Sequence, residues 1–184
     1  MILNRQDRLR VDVAGARAFA ARLAAELKLG SRHFNVCFVD DDAIRELNGA
    51  FRKKPHATDV LSFAWQPGDR GLSRAQNREF GAFLGDVVIS VETAGRNARA
   101  EGHSTAAEIR WLILHGVLHL LGMDHETDHG EMEARELKLR ERLGLEGSGA
   151  ARTTRRSEPR RAGVKRAIRS RISTRKRAAG SAAL

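Results

Sequence analysis

Residues 105–125 read TAAEIRWLILHGVLHLLGMDH, and this segment has the pattern of a long, buried helix. Thr105 and Glu108 are spaced as a capping box, which satisfies free backbone N–H groups at a helix start. Gly122 can adopt the left-handed conformation that ends a helix and reverses the chain. Between these ends, apolar residues recur every three or four positions and form one stripe: Ile109, Leu112, Ile113, Val117 and Leu120. The segment therefore predicts a rigid helix over 105–121 on which other elements pack.

Three histidines in the same segment have the spacing of a metal site. His115 and His119 are one helical turn apart, so both imidazoles can point at one position. The reversal at Gly122 lets His125 approach that position, and Asp124 can serve as an outer hydrogen-bond acceptor for an imidazole. Three neutral imidazoles suit Zn²⁺ or a similar divalent ion and leave a coordination position open, as in catalytic zinc sites. We therefore predict one Zn²⁺ per chain on the three histidines, against the alternative of ordinary helix and loop histidines.

The residue after the first histidine excludes one class of zinc enzyme. Peptidases of the His-Glu-x-x-His type use a glutamate at that position as general base. This chain has Gly116 there, so a peptidase of that type is not expected. The remaining histidines lack ligand spacing and are not expected to bind metal: His33, His56, His103 and His129.

Three motifs resemble, in order, those of one protein family. Residues 115–125 resemble the His-Gly-x-Leu-His-Leu-x-Gly-x-Asp-His signature of the YbeY family, bacterial metal-dependent endoribonucleases of ribosomal RNA maturation. Upstream, NGAFRKK at 48–54 with TDVLSF at 58–63 is similar to the family's second motif, and LGDVVI at 84–89 resembles its third. The likeness covers residues 1–147, with Pro55 and Ala57 where the family usually has an aspartate and a proline.

The resemblance implies a fold, an activity and partners. The fold is α+β, a mixed sheet of about four strands covered by about five helices, with the metal in a cleft beside the histidine helix. The activity is zinc-dependent hydrolysis of phosphodiester bonds in single-stranded parts of ribosomal RNA precursors, for 3′-end maturation of small-subunit rRNA and ribosome quality control. The implied partners are rRNA, the small ribosomal subunit, a ribosomal protein and an assembly GTPase, with no membrane and no DNA. Two alternatives stay open: a zinc hydrolase of another substrate, and a non-catalytic, ribosome-associated RNA-binding protein with structural zinc.

Further residues are candidates for this site. Phosphodiester hydrolysis needs a positive group that stabilises charge on the phosphoryl oxygens, and the resemblance assigns this catalytic role to Arg52, together with the two helix histidines. Lys53 and Lys54 are expected to position the RNA backbone, with a solvated charge cluster as the alternative. Asp86 lies in an otherwise apolar strand and is expected to hydrogen-bond inward. Its contact is either an outer support for a zinc histidine or purely structural.

The basic charge of the chain is concentrated at its C-terminal end. Residues 148–184 carry ten arginines and two lysines against Glu158, a net charge of +11, whereas residues 1–147 have a net charge of −1. Small and polar residues surround the arginine pairs Arg155-Arg156 and Arg160-Arg161, a composition that cannot bury enough apolar surface to fold. We expect a folded domain over 1–147 and a disordered tail over 148–184 that either binds RNA phosphates or is a solvated extension. The tail has no aromatic residue, so it is not expected to stack on bases.

The rest of the chain contains helices and short strands in mixed order. Helices are predicted at 14–28, 41–50, 91–101 and 129–143, and strands at 34–39, 60–65 and 83–90, without an internal repeat. This order is typical of the α+β class. The single cysteine, Cys37, excludes an intrachain disulfide and favours a cytoplasmic location. The sequence has neither the apolar core of a signal peptide nor a membrane-spanning apolar run, so export is not expected.

Overall fold

The structure, a computed structural model, describes residues 1–66, 80–125 and 127–145. Within these ranges, four strands form one sheet and five α-helices pack around it. The strands are β1 (Ile2–Asn4), β2 (His33–Val39), β3 (Val60–Ala64) and β4 (Phe83–Ser90). The helices are α1 (Val13–Glu26), α2 (Asp41–Arg52), α3 (Val91–Glu101), α4 (Thr105–Leu120) and α5 (Glu131–Arg142). The predicted α+β class is confirmed.

The sheet is mixed, with the strand order β1-β2-β4-β3. β1 and β4 both run parallel to β2, whereas β3 runs antiparallel to β4 and forms an edge of the sheet. Gly85 of β4 has a φ of +134°, and a Cβ atom at this position would lie 2.1 Å from the carbonyl oxygen of Phe63. Only glycine permits this close approach of β3 to β4.

The two faces of the sheet carry different hydrophobic clusters. Successive residues of a strand point to opposite faces, so Val87 of β4 lies on one side and Val88 on the other. The face of Val87 belongs to the large cluster, which also includes buried residues of α1, α3, α4 and α5. The face of Val88 packs against α2 in a smaller cluster with Ile44 and Leu61. Helices α2 and α4 are therefore layers on opposite sides of the sheet.

The start of α4 is where the sequence predicts it, but its cap is different. Ser104 is the N-cap residue, and its hydroxyl oxygen accepts a hydrogen bond from the N–H of Ala107 at 3.2 Å. The predicted capping box of Thr105 and Glu108 is wrong. Glu108 is fully buried, and its carboxylate pairs at 2.8 Å with the ring of His103, the residue before the N-cap. The helix thus begins one residue earlier than the predicted box requires, and the residue three positions after its cap is Ala107.

Residues at both ends of the described chain are part of the fold. β1 was not predicted, because a segment of three residues is too short to show a periodic pattern. It is held to β2 partly by the N-terminal ammonium group, which donates a hydrogen bond to the carbonyl oxygen of Phe34 at 2.9 Å. At the other end, Leu143 and Leu145 are buried in the large cluster. The predicted tail, with Arg155, Arg156, Arg160 and Arg161, lies outside the described residues, so its boundary and role stay predictions. Of the helices in the described ranges, none is long and apolar enough to cross a membrane.

Candidate metal centre

His115, His119 and His125 lie together at the end of α4 and in the turn that follows. Ring nitrogens of all three lie within 4.8 Å of one another. The Nε2 atoms of His115 and His119 are 3.1 Å apart, and the ring centroid of His125 is 5.3 and 5.2 Å from theirs. Two nitrogen ligands of a tetrahedral zinc ion, each at about 2.0–2.1 Å, are separated by about 3.3 Å. The three imidazoles therefore fit one ion of this size.

The turn that brings in His125 depends on Gly122. Its φ of +86° is left-handed, as the sequence predicts. The N–H of Gly122 donates to the carbonyl oxygen of His119 at 3.0 Å, and the N–H of Met123 donates to that of Leu118 at 3.1 Å. This pair of hydrogen bonds satisfies the last carbonyl groups of α4 while it reverses the chain. The third imidazole is thereby carried back beside the first two.

A second glycine, Gly116, sets the distance between α4 and the sheet. A Cβ atom at this position would lie 2.6 Å from Cγ1 of Val87 and 3.1 Å from Oγ of Ser62. Any larger residue would force α4 away from β3 and β4, because a packed interior has no spare volume. Gly116 therefore has a packing role of its own, and it places the neighbouring His115 close to β3.

His119 is held as a neutral imidazole. Burial, followed by the neighbouring His115 and His125 rings, lowers the pKa of His119 from 6.5 to about 4, while Asp124 acts in the opposite direction. At neutral pH the ring is therefore uncharged, the state in which an imidazole nitrogen can bind a metal. Asp124, which the sequence suggested as an outer acceptor, is near enough to influence the charge of His119.

Glu136 of α5 holds the back of His115. Its Oε2 atom lies 3.1 Å from Nδ1 of His115, and its other carboxylate oxygen is paired with Arg140. Burial alone would raise the pKa of Glu136, but hydrogen bonds and charge attraction from His115 and Arg140 outweigh it and lower the pKa. An ionised carboxylate only accepts hydrogen bonds, so Nδ1 of His115 carries the proton and Nε2 keeps its lone pair on the side of His119. The guanidinium of Arg140 in turn lies over the ring of Trp111, 4.8 Å from its centroid.

Sequence reasoning missed Glu136 as a functional residue. Glu136 and Arg140 have the spacing of a helical ion pair, which the sequence does show, but such pairs are common on exposed helix faces. What distinguishes this pair is its position: both side chains are mostly buried, with relative exposures of 13% and 14%. That position follows from the packing of α5 on α4 and has no local signal.

Asp86 makes a structural contact on the far side of the sheet from the histidines. Its neighbour Val87 faces α4, so Asp86 points to the opposite face, where it lies opposite Phe63 of β3. There Oδ1 of Asp86 accepts a hydrogen bond from Nδ2 of Asn35 at 2.9 Å. This hydrogen bond fits the structural interpretation of Asp86. It does not fit the interpretation in which Asp86 supports a zinc-binding histidine.

Arg52, Lys53 and Lys54 lie at the C-terminal end of α2, which is in the layer opposite α4. Arg52 is the last residue of α2, and its side chain is exposed, as is that of Lys53. Lys53 has a left-handed φ of +59° and ends the helix. One helix end thus carries the predicted catalytic arginine and the two predicted RNA-binding lysines. It lies next to the edge strand β3 and not in the layer of the histidine helix.

A second group of titratable side chains lies at the junction of α3 and α4. His103 and Glu108 form a buried pair with side-chain exposures of 1% and 0%, and an oxygen of Glu101 completes a group whose ligand atoms lie within 4.8 Å. The His103 ring also packs on Trp111 with a centroid separation of 4.4 Å. His103 therefore packs in the core at the start of α4, and the expectation that it does not bind metal stays a prediction.

Comparison with known proteins identifies the family of the chain. The family model described as endoribonuclease YbeY matches residues 1–144. The chain belongs to this family. A protein of Nautilia profundicola named endoribonuclease YbeY is 45% identical over 120 residues, which are 65% of this chain and 78% of the relative. One from Sulfurovum sp. with the same name is 35% identical over 146 residues, 79% of this chain and 92% of the relative. A solution structure of a Thermotoga maritima protein is also similar, with a TM-score of 0.52 and 26% identity over 78% of this chain and 89% of that one.

Proposed function

We propose that this protein is a zinc-dependent endoribonuclease that hydrolyses phosphodiester bonds in single-stranded parts of ribosomal RNA precursors. The observation that carries the proposal is the group of three imidazoles around one position in a chain of the endoribonuclease YbeY family. His115, His119 and His125 are the ligands. Three imidazole ligands leave one position of a tetrahedral ion open, the arrangement of a catalytic site.

The roles of the side chains follow from their surroundings. A zinc ion in this position would supply Lewis-acid chemistry, since it polarises a phosphoryl oxygen and lowers the pKa of water. Glu136 keeps the proton of His115 on Nδ1, so Nε2 is available as a ligand. His119 stays neutral because of its lowered pKa. The role of Arg52 is proposed from the family resemblance: its planar guanidinium, exposed at the end of α2, would grip the non-bridging phosphate oxygens as negative charge develops on them.

The substrate and partners are proposed from the family. We assign the protein to 3′-end maturation of small-subunit rRNA and to ribosome quality control in the cytoplasm, with a ribosomal protein and an assembly GTPase as partners. The free thiol of Cys37 is compatible with a reducing compartment. Lys53 and Lys54 contribute phosphate contacts that position the RNA, and the tail over 148–184 adds salt-dependent affinity.

Metal analysis combined with RNA cleavage tests this function. The purified protein is expected to contain one zinc per chain and to cleave a small-subunit rRNA precursor, whereas His119→Ala loses both properties. Arg52→Ala is expected to keep the metal and lose most turnover, and Arg52→Lys to recover little, because an ammonium group cannot make the paired contact. Arg45→Ala is the matched control: Arg45 is on the same helix, exposed and paired with Asp42.

Two outcomes would select the alternatives. Zinc binding with no cleavage of any RNA, together with loss of both fold stability and RNA affinity in His119→Ala, would favour a structural ion in an RNA-binding protein. Zinc-dependent hydrolysis of a different phosphodiester, with the rRNA precursor left intact, would favour another substrate. Full activity of Arg52→Ala with normal metal content would remove Arg52 from the catalytic group.

A further inference from the structure

An exposed aromatic ring stands out at the end of α2. Phe51 is 66% exposed, although phenylalanine is among the residues most often buried. It packs edge-on against Phe63 of β3, with ring centroids 5.0 Å apart and planes at 69°. We call these two rings the aromatic platform. The contact with Phe63 holds one side of the Phe51 ring, and most of the ring remains open to solvent.

Three basic residues follow the exposed ring of the aromatic platform in the chain, and the carboxylate opposite Phe63 in the sheet, Asp86, is hydrogen-bonded to Asn35. Phe51 is followed in the chain by Arg52, Lys53 and Lys54, and the side chains of the first two are exposed. The left-handed conformation of Lys53 ends α2 at this point, so the cations lie at a helix C-terminus, where the helix dipole favours them. A single large aromatic side chain bordered by cations is the combination that binds unpaired nucleotides: the ring stacks on a base and the cations contact phosphates.

The segment that carries these side chains is well anchored. Asn48, on the inner side of α2, is only 2% exposed, and its Nδ2 donates to the carbonyl oxygen of His56 at 2.8 Å. The backbone carbonyl oxygen of Asn48 accepts a hydrogen bond from the backbone N–H of Lys54 at 3.2 Å. Asn48 thus ties both ends of the 53–56 turn to α2. The backbone that follows Phe51 is thereby held in place, which limits the conformational entropy lost when RNA binds there.

The edge strand connects the aromatic platform to the histidine helix. Phe63 follows Ser62 in β3, and Ser62 packs where α4 comes closest to the sheet, at Gly116, the neighbour of His115. Since successive strand residues point to opposite faces, the platform and α4 lie on the two sides of β3. An RNA strand passing around this edge would meet the platform on one side and the histidine helix on the other.

We propose that Phe51, supported by Phe63, stacks on an unpaired base of the RNA and thereby selects single-stranded substrates. This inference rests on the proposed endoribonuclease function and adds the residue that distinguishes single-stranded from duplex RNA. A base in a duplex is already stacked on its neighbours and cannot cover the ring. A protein partner is a weaker explanation, because docking surfaces need a wider apolar patch than one ring among cations.

RNA affinity of single variants tests the proposal. The probe is a short single-stranded RNA that carries the fluorescent base 2-aminopurine, with the same strand in a duplex for comparison. Phe51→Ala is expected to weaken binding of the single strand about 5- to 150-fold, the range for loss of one stacked base, and to leave duplex binding unchanged. Phe51→Trp is expected to retain the affinity. Leu137→Ala is the matched control, since Leu137 is 54% exposed on α5, and it should bind as the wild type does.

Two further readouts separate stacking from charge and from damage to the fold. The slope of log affinity against log salt should stay the same in Phe51→Ala, because no charge is lost, and should become shallower in Lys53→Ala. Quenching of 2-aminopurine on binding should be lost in Phe51→Ala and kept in Phe51→Trp. Equal single-strand affinity of Phe51→Ala and wild type, with unchanged quenching, would overturn the proposal. Because these are binding measurements, they stand even if the wild-type protein cleaves no RNA.

Discussion

The contact between Glu136 and His115 leads to a prediction about zinc affinity. Glu136→Gln keeps the size of the side chain and an oxygen that can accept from Nδ1 of His115, but it removes the negative charge. The zinc-bound imidazole is then less basic and less firmly oriented. Zinc affinity should fall, although Glu136 is not itself a ligand.

The contacts of Glu136 set the expected size of this effect. Loss of an outer hydrogen-bond partner typically costs about 10- to 100-fold in metal affinity, or about 1.4–2.7 kcal/mol. Hydrogen bonds to a charged group are about twice as strong as neutral ones, so Glu136→Gln should keep part of the effect and lose about tenfold. Glu136→Ala removes the acceptor and should lose about a hundredfold. Arg140, with only 14% of its side chain exposed, also loses its carboxylate partner in both variants.

Chelator competition measures zinc affinity directly, and ¹⁵N NMR of the zinc-loaded protein reports which nitrogen of His115 is protonated. Glu133→Gln is the matched control, because Glu133 is on the same helix, is exposed and undergoes the same change of charge. The control should match the wild type in both measurements. If both Glu136 variants bound zinc as tightly as Glu133→Gln, the carboxylate would have no role in positioning His115.

Three other predictions follow from the site, the sheet and the tail. In the metal-free protein, NMR titration should give His119 a pKa of about 4. The unfolded chain protonates this residue near 6.5 and the folded chain does not, so the free energy of unfolding should fall as pH drops from 6.5 to 4. A His119 pKa near 6.5 in the folded protein would contradict the burial argument. Gly85→Ala should lower the free energy of unfolding in denaturant by about 3 kcal/mol or more, because its Cβ would meet the carbonyl oxygen of Phe63. The control Gly102→Ala should cost only about 1–2 kcal/mol, because Gly102 has a φ of +76° but open space around its Cβ position. Deletion of residues 148–184 removes 11 net positive charges and should flatten the salt dependence of RNA affinity, while cleavage at saturating RNA survives. If the slope of log affinity against log salt were equal for the full-length and shortened proteins, the tail would be a solvated extension.

The sequence was sufficient where the determining interactions are local. The spacing of His115 and His119 fixes their relative direction once the segment is helical, and Gly122 reverses the chain through hydrogen bonds to the turn before it. The strand Phe83–Ser90 and the helix Val91–Glu101 lie where the patterns predicted them. Because helix periodicity and caps act over a few residues, these features can be derived without knowing what packs around them.

Contacts between distant segments were decided only by tertiary packing. Glu136 reaches His115 across 21 positions of sequence because α5 packs on α4. The face on which Asp86 lies depends on which side of β4 receives α4, and the Phe51–Phe63 pair depends on α2 covering the other side. The sequence by itself therefore predicted the group of three histidines and the elements that carry them. The side chains that contact these histidines, and the ring proposed to stack on RNA, were decided by how those elements pack, since many arrangements of the same helices and strands satisfy the local rules equally well.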